Sequence, residues 1–303
     1  MNLDFNLKKG KLNIMKKIIC IILAIIMTCG LIGCGGSDNK IASAPNALSE
    51  PTPLTAETSI QETVIVDNDI LTITAKSFSI DASIFGPSIK LLIENHSDKT
   101  IIVQALNASV NGFMIDTTFS STIGPGKKSY DNLTFNSTDL KDTNITTLND
   151  IEFVIYAFDN DTWDSVFTSD IINIQTSSIN EIESNYNSNG DEIFNNDSVK
   201  IVYQGMRDDP YWGIELVFYI ENNSDKNIIV QINTISINGF MVDPIMSPTI
   251  CANKKIVEGL TILQSDLDDN EITELENMEI SFRIIDENTW DILYTTEPFV
   301  VEF

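Results

Sequence analysis

The chain of 303 residues contains one sequence module twice, at a constant spacing of 127 residues. Three pairs of segments carry the duplication: IENHSDKTIIVQ (93–104) with IENNSDKNIIVQ (220–231), NGFMID (111–116) with NGFMVD (238–243), and DNDTWD (159–164) with DENTWD (286–291). Between residues 93 and 164 no gap is needed, and 34 of 72 positions are identical to the second copy. This degree of identity excludes chance, so the chain is expected to fold as two related units.

The two copies extend outward from these motifs to residues 63–176 and 192–303. The polar segment 177–191 between them has the composition of a linker. Each copy is long enough to enclose its own hydrophobic core, which predicts two self-contained domains rather than a solenoid.

Both copies show the alternation of apolar and polar residues that is typical of strands with one buried face. The segment MEISFRI (278–284) alternates over its whole length. No segment sustains a helical period, and only 137–148 and 265–275 have room for a single helical turn. About seven short strands per copy predict an all-β fold of two tandem immunoglobulin-like β-sandwiches, with a small β-barrel as the alternative.

Turn residues lie where these strands must reverse. The Asn-Gly pairs at 111–112 and 238–239 are typical of two-residue type I′ hairpins, in which both central residues need a positive φ. The ENxSDK segments, 94–99 and 221–226, each separate two apolar runs and are expected to form hairpin turns in the same way.

Ahead of the first copy, the segment MKKIICIILAIIMTCGLIGCGG (15–36) has the features of a secretory signal peptide. Its apolar stretch is shorter than the roughly 20 residues that a membrane-spanning helix needs. The sequence LIGC, which ends at Cys34, is similar to the lipobox of bacterial lipoproteins. This resemblance implies that residues 1–33 are removed and that Cys34 carries diacylglycerol; an ordinary signal peptide is the alternative. Residues 34–62, rich in Ser, Ala, Pro and Thr, are typical of a flexible tether.

The charge of the chain excludes one class of partner. The formal net charge is −26, and removal of five Lys and one Asp with the signal peptide would change it to 13 − 43 = −30. Nucleic-acid binding needs a cationic surface, so no nucleic-acid partner is expected. His96, the only histidine, is interpreted as an exposed turn residue, and Cys251 as an inert thiol.

The lipobox, the tether and the paired ENxSDK, NGFM and TWD motifs together resemble uncharacterised surface lipoproteins of Gram-positive bacteria that carry tandem immunoglobulin-like modules. The resemblance covers nearly the whole mature chain. It implies an extracytoplasmic protein that is anchored to the outer face of the cytoplasmic membrane through N-terminal diacylglycerol. It implies no catalytic motif that could be transferred to this sequence.

One duplicated cluster has side chains that suit a cation. Ca²⁺ prefers several carboxylate and carbonyl oxygens from a short loop. The candidate calcium ligands in the two TWD motifs are Asp159, Asp161, Asp164, Asp286, Asn288 and Asp291. The alternative is a hairpin turn in which Asp and Asn cap backbone groups while the Trp packs on the domain.

Tyr211 and Trp212 follow Pro210 and are candidates for stacking on a ligand such as a carbohydrate. The alternative is that they fill the core at the start of a strand. No nucleophile elbow, phosphate-binding loop or metalloprotease motif occurs, so no catalytic residue is assigned and the protein is not expected to be an enzyme.

The sequence therefore predicts a non-catalytic, lipid-anchored extracytoplasmic protein that acts as a binding or adhesion module. Its expected partners are the cell membrane and an unknown protein or cell-envelope polymer, and no cofactor other than the candidate calcium is expected. Two alternatives stay open. One is an accessory or catalytic component of a secreted glycan-processing enzyme, and the other is a passive structural stalk.

Overall fold

The computed structural model describes residues 58–80, 86–180, 186–209, 212–244 and 246–303. The chain divides into two units, Met1–Ala47 and Leu48–Phe303, and every described residue belongs to the second unit. The predicted signal peptide, Cys34, Tyr211 and most of the predicted tether lie outside the described residues. Among the residues that are described, no helix has both the length and the apolar character needed to cross a membrane.

Repeat 1, the name used here for residues 63–176, consists of strands and one short helix. Its strands are β1 (Thr63–Asp67), β2 (Leu71–Ser79), β3 (Ser88–Asn95), β4 (Ile101–Val110), β5 (Phe113–Met114), β6 (Thr117–Thr118), β7 (Ser120–Ile123), β8 (Lys128–Phe135), β9 (Asp150–Asp159), β10 (Ser165–Thr168) and β11 (Ile172–Gln175). Helix α1 (Ser137–Asp142) begins after Asn136, whose side chain accepts a hydrogen bond from the N–H of Thr138 and so caps the helix.

Repeat 2, residues 192–303, has the same order of elements, except that its described residues contain no counterpart of β6. Its strands are β12 (Asp191–Asn195), β13 (Val199–Asp209), β14 (Gly213–Asn222), β15 (Ile228–Ile237), β16 (Phe240–Met241), β17 (Thr249–Ile250), β18 (Lys255–Leu263), β19 (Asn277–Asp286), β20 (Ile292–Thr295) and β21 (Phe299–Glu302). Helix α2 (Gln264–Asp269) follows β18 directly, as α1 follows β8. The two helices occupy the segments in which the sequence predicts a single helical turn.

Each repeat is an immunoglobulin-like β-sandwich, which confirms the predicted fold class over the small barrel. In repeat 1, one sheet has the order β1-β2-β3-β8-β6, and the other has the order β10-β9-β4-β5 with β11 on β9 and β7 on β4. In repeat 2 the equivalent sheets are β12-β13-β14-β18 and β16-β15-β19-β20, with β17 on β15 and β21 on β19. Alternate residues along the strands point inward and form the core; Phe153 and Phe282, for example, are fully buried.

The Asn-Gly hairpins form as predicted. Asn111 and Gly112 have φ values of 51° and 81°, and Asn238 and Gly239 have values of 50° and 81°. Each pair connects two antiparallel strands through a two-residue loop. The side chain of Asn111 also receives the backbone N–H groups of Asn149 and Asp150 at 2.9 and 3.1 Å, so the turn is tied to the start of β9.

The prediction that the ENxSDK segments form hairpin turns is wrong. β3 pairs with β2 and β8 in one sheet, whereas β4 pairs with strands of the other, so the segment crosses between sheets. Asn95 is buried at this crossing, where its amide donates to the carbonyl oxygens of Lys99 and Ile123 at 2.7 and 2.9 Å and its oxygen accepts from Ser97. Asn222 makes the equivalent bonds in repeat 2, which accounts for the duplicated motif.

One sheet runs through both repeats. Lys255 of β18 pairs in parallel with Phe113 of β5, and the backbone N–H of Lys255 donates to the carbonyl oxygen of Gly112 at 3.1 Å. The hydrophobic cores meet at the same place, because Tyr219 packs in the core of repeat 1 and Met114 in the core of repeat 2. The repeats are therefore joined by packing as well as by the chain, a contact that the duplication by itself does not predict.

Candidate functional site

The first acidic residue of each TWD motif closes the β9–β10 or β19–β20 hairpin. Asp159 Oδ1 accepts hydrogen bonds from the N–H groups of Asp161 and Thr162 at 2.9 and 3.2 Å, and Asp159 Oδ2 pairs with Lys99 Nζ at 2.7 Å. The Lys99 ammonium and these N–H groups hold the pKa of Asp159 below its ordinary value. Asp286 makes the same contacts with Lys226 and with the N–H groups of Asn288 and Thr289.

The other candidate calcium ligands do not converge with these two residues. The side chains of Asp161, Asp164, Asn288 and Asp291 are exposed on the turns. Across the described part of the chain, no three His, Cys, Asp or Glu side chains are grouped as metal ligands. The bonds of Asp159 are those of the capped hairpin turn. Calcium binding stays a prediction, which a lowered melting temperature after chelation with EDTA would support.

The tryptophan of each motif lies on the surface in an uncommon backbone conformation. Trp163 and Trp290 have φ values of 62° and 64°, in the left-handed region that bulky residues rarely adopt. The ring of Trp163 stacks on Phe158 with a centroid distance of 5.3 Å, yet the residue remains 47% exposed. The Trp163 side chain thus packs on its own domain, as the hairpin interpretation expects.

Trp212 is placed on the surface rather than in the core. The residue lies in the turn between β13 and β14, where it is 63% exposed, and its carbonyl oxygen accepts a hydrogen bond from the N–H of Gln264 at 2.8 Å. This position suits the predicted stacking role better than the core-filling alternative. Because Tyr211 lies outside the described residues, ligand stacking by Tyr211 and Trp212 stays a prediction.

The two residues considered for reactivity have environments that fit their interpretation as unreactive groups. His96 is exposed, and its Nε2 lies 2.9 Å from Thr72 Oγ1. Burial raises the pKa of the Cys251 thiol to about 11, so the thiol is protonated at neutral pH and is a poor nucleophile.

The most developed contact surface in the described residues is the junction between the repeats. We call residues 112–116 and 139–142 the docking end of repeat 1, and the outward side of β13, β14 and β18 the receiving face of repeat 2. The ring of Phe113 contacts Tyr186 and Tyr219 edge-on at centroid distances of 5.3 and 6.5 Å, and Lys255 Nζ lies 4.3 Å from its centroid. Phe113 is only 4% exposed as a result.

Ion pairs surround this aromatic cluster. Arg207 donates two hydrogen bonds to the Asp142 carboxylate, at 2.9 and 2.7 Å, and also pairs with Glu215. Lys254 of the receiving face pairs with Glu152 of repeat 1. Two-point contacts between a guanidinium and a carboxylate fix orientation as well as distance, so the junction sets how the two sandwiches are aligned.

Three further carboxyl groups are brought together beside the Arg207 pair. The N–H of Asp116 donates to Asp139 Oδ2 at 2.7 Å, and the charges of both residues act on Glu258. Burial raises the pKa of Asp139 to about 7 and, with help from the neighbouring carboxylates, that of Glu258 to about 8. The junction therefore retains protons on acidic groups near neutral pH.

The same end of repeat 2 is uncovered. Phe240 and Met241 are 48% and 64% exposed, whereas the equivalent Phe113 and Met114 are 4% and 8% exposed. Next to Phe240, a shallow hollow of about 400 Å³ is lined by Met241 and Asp243 and by Asp266 and Asp269 of α2. We call residues 239–243 and 266–269 the docking end of repeat 2.

Sequence reasoning did not find this surface. In both copies the NGFM motif predicts a turn, and nothing in it predicts a binding surface. The available signal was that a Phe and a Met follow an exposed hairpin in both copies, which places two large apolar side chains at the tip of a domain. The sequence could not show that only one of the two tips is covered.

Comparison with known proteins identifies no relative. No family model matches the chain, and no curated protein matches it. Among solved structures, the YadV chaperone is matched with a TM-score of 0.23 and 11% identity over 71% of this chain and 92% of that one. The Salmonella enterica SafA pilin in complex with the SafB chaperone is matched with a TM-score of 0.19 and 9% identity, over 71% and 89% of the two chains. At such TM-scores, neither structure bears on what this chain does.

Proposed function

We propose that the protein is a non-catalytic, lipid-anchored extracytoplasmic binding protein, which uses the docking end of repeat 2 to hold a protein partner. The observation that carries the proposal is the exposure of Phe240 and Met241 at a surface whose counterpart in repeat 1 is a buried interface. Cys34 is the proposed site of the diacylglycerol, on the outer face of the cytoplasmic membrane of a Gram-positive bacterium.

An exposed pair of large apolar side chains is a recognised feature of protein-binding surfaces. Aromatic residues and Met are enriched in the cores of interfaces, because they bury much apolar surface and Met adapts its shape to the partner. Asp243, Asp266 and Asp269 give this surface an acidic border. The border favours a partner whose contact patch is apolar with basic residues around it.

The proposed anchor and the binding surface belong to opposite parts of the chain, since Cys34 precedes repeat 1 and Phe240 belongs to repeat 2. The ion pairs and the aromatic cluster of the junction hold the two sandwiches in one alignment. This contact also favours a second function, a passive structural stalk, because a stalk needs a stiff connection between its modules. The two functions differ in whether the docking end of repeat 2 binds anything.

A pull-down tests the binding function. The tagged full chain with Cys34→Ser is incubated with envelope extract, beside the same protein carrying Phe240→Ser and Met241→Ser. A matched control carries Ile292→Ser and Tyr294→Ser, which change two exposed residues of β20, away from the docking end. We expect a partner that the control retains and the docking-end variant loses. Equal recovery of every protein by all three baits would reject the binding surface and leave the stalk.

Fractionation tests the anchor. The wild-type protein is expected in the membrane fraction and the Cys34→Ser variant in the soluble fraction. Membrane association that persists in the variant would overturn the lipoprotein assignment, while leaving the binding surface as an independent question.

A further inference from the structure

We infer that the partner of the docking end of repeat 2 is a second copy of this chain, which offers the outward side of β2, β3 and β8 in its repeat 1. We call that side the receiving face of repeat 1. The inference rests on the proposed binding function and names its partner. It predicts head-to-tail association, with repeat 2 of one copy on repeat 1 of the next.

The first argument is that the molecule already contains this contact once. The docking end of repeat 1 is covered by the receiving face of repeat 2, which is the outward side of β13, β14 and β18. Repeat 1 has the equivalent sheet in β2, β3 and β8. The docking end of repeat 2 in one copy could therefore pack on the receiving face of repeat 1 in a second copy, in the same way as the two surfaces pack at the junction.

The second argument is that the residues of three junction contacts recur at the free surfaces. The junction uses Lys254 with Glu152, Lys255 with the ring of Phe113, and the N–H of Lys255 with the carbonyl oxygen of Gly112. The 127-residue spacing gives the corresponding residues of the two free surfaces. Lys127 and Lys128 belong to the receiving face of one copy, and would meet residues of repeat 2 of the other copy: Lys127 would meet Glu279, and Lys128 would meet Phe240 and Gly239. Every one of these residues is identical in type to its counterpart.

The third argument is that the edge of β8 is open at the required position. β8 pairs with β3 on one side, where Lys128 lies opposite Glu94, just as Lys255 lies opposite Glu221. On its other side, β8 pairs with β6 only through Thr134 and Phe135. Within the described residues, Lys128 has no strand partner on that side, and its side chain is 64% exposed. A strand such as β16 can add there as β5 adds to β18.

The fourth argument is charge. The receiving face of repeat 1 and its rim carry four lysines, in a chain with 18 basic and 44 acidic residues; these lysines are Lys76, Lys90, Lys127 and Lys128. Two of them already have an acidic partner there, Lys76 with Glu62 and Lys128 with Glu94, so the lysines outnumber the carboxylates that pair with them. The docking end of repeat 2 carries Asp243, Asp266 and Asp269. Opposite charges of this kind steer two copies into the head-to-tail arrangement and disfavour contact between two docking ends.

Three differences predict that this association is weaker than the junction. The aromatic partners of Phe113 do not recur, because Leu92 stands at the position equivalent to Tyr219 and Tyr186 belongs to the segment between the repeats. Ser79, opposite Ser88, has the position in repeat 1 that Arg207, opposite Glu215, has in repeat 2. The second copy therefore has no arginine at this position to bind Asp269, as Arg207 binds Asp142. The two partners are also not joined by a chain, so the contact lacks the high effective concentration of the junction. Confinement of anchored copies to a membrane surface would offset part of that loss.

Because the two surfaces of the contact are different, each copy has one of each, and association does not stop at two copies. Such heterologous contacts give rings when the rotation closes and open chains when it does not. The expected products are therefore dimers, trimers and longer species in a concentration-dependent series.

The test is sedimentation velocity on the full chain with Cys34→Ser, from about 1 µM to about 1 mM, the range of a weak interface. We expect the mean mass to rise beyond two copies with concentration. Met241→Asp and Lys128→Glu, both exposed substitutions, should each weaken association at least about tenfold, as loss of a central contact does. Ser79→Arg should strengthen it about tenfold, and Asp269→Ala added to Ser79→Arg should remove that gain.

Mixing separates this contact from any other mode of self-association. Met241→Asp loses its docking end but keeps its receiving face, and Lys128→Glu has the reverse defect. At a concentration at which the wild type associates and the weakened variants do not, each variant alone should be monomeric, whereas an equimolar mixture should form a dimer of one copy of each and nothing larger. A melting temperature equal to that of the parent protein confirms that each variant is folded.

A wild-type chain that stays monomeric over the whole range overturns the inference. So does a dimer that both variants still form, or a mixture that stays monomeric. These outcomes are distinct from failure of the proposed function. A monomeric chain whose Phe240→Ser and Met241→Ser variant loses an envelope protein in the pull-down keeps its binding function but has a different partner.

Discussion

The NGFM tips of the two repeats have the same sequence and the same turn, yet their environments are opposite. The φ values of the Asn-Gly pairs agree to within a degree between the copies. The Phe and Met that follow are nearly fully buried in repeat 1, and about half to two thirds exposed in repeat 2. Local sequence therefore determines the conformation of the tip, and the neighbouring module determines whether the tip is buried.

This difference has an energetic consequence. Burial of a Phe or Met side chain contributes about 1.5–3 kcal/mol relative to exposure. Repeat 1 gains this stabilisation from its contact with repeat 2, whereas repeat 2 leaves it unused. Substitutions made in matched pairs at the two tips can measure the difference directly.

The largest effect is expected at the Phe pair. Phe113→Ala removes a buried ring from between Tyr186, Tyr219 and Lys255, and should lower the free energy of unfolding by about 3 kcal/mol. Phe240→Ala should change it by no more than about 0.5 kcal/mol. Urea unfolding of the full chain at low micromolar concentration, where self-association is negligible, measures both. Similar losses for the two variants would mean that the tips do not differ in the way the structure shows.

A smaller effect of the same kind is expected at the Asp pair. Asp142→Ala removes the carboxylate that receives two hydrogen bonds from Arg207, and should destabilise the chain by about 1–2 kcal/mol, since the pair is only partly buried. Asp269→Ala, at the equivalent position of α2, should be neutral because no arginine faces it. If the loss comes from the pair with Arg207, Asp142→Ala should have little effect in a chain that already carries Arg207→Ala. Additive losses of stability in this double-mutant cycle would contradict the pairing.

The fold follows from the sequence to the extent that local patterns determine it. The duplication and the alternation of 278–284 lead to two β-sandwiches, and the Asn-Gly pairs lead to the type I′ hairpins. The ENxSDK segment was predicted wrongly because periodicity identifies a strand but does not say which sheet it joins. The crossing depends on Asn95, whose hydrogen bond to the carbonyl oxygen of Ile123, 28 residues away in sequence, has no local signature.

The candidate site was much less predictable. The acidic residues of the TWD motifs suggest a cation site in the sequence, whereas in the structure Asp159 accepts the backbone hydrogen bonds of its turn. The docking ends were missed because identical residues have different roles in the two copies. Burial at a contact between modules depends on the receiving face, which is assembled from β13, β14 and β18 and has no single motif.

The protonated carboxyl groups of the junction make the stability of the protein depend on pH. In the unfolded chain Asp and Glu release their protons near pH 4, whereas the pKa values of Asp139 and Glu258 in the folded protein are about 7 and 8. Between these values the unfolded chain binds fewer protons than the folded chain. The contribution of the two groups to stability is therefore complete below about pH 4 and is lost as the pH rises to about 8.

Glu258→Gln should accordingly make the fall in melting temperature between pH 5 and pH 8 less steep. Asp131→Asn is the matched control, because Asp131 has the equivalent position on β8, which no strand of repeat 2 adjoins among the described residues. It should leave the slope unchanged. Parallel slopes for the wild type and the Glu258→Gln variant would show that Glu258 gives up its proton at its ordinary pKa.

The smallest effect is expected where the two repeats are alike. Lys99 pairs with Asp159, and Lys226 with Asp286, at the same distance of 2.7 Å. The two lysines are about equally exposed, and the two carboxylates are about equally buried. Lys99→Met and Lys226→Met should each speed hydrogen exchange of the two amides that donate to the nearby Asp, by the same small factor.

The lysines lower the pKa of their carboxylates, so their contribution is present above the ordinary pKa of Asp and is lost as the pH falls below it. Each methionine variant should therefore differ from the wild type at pH 7 and converge with it in acid. Because neither turn takes part in the junction, unequal factors in the two repeats would mean that the contact between modules reaches beyond the surfaces that touch. Equal factors would confine the difference between the copies to the docking ends.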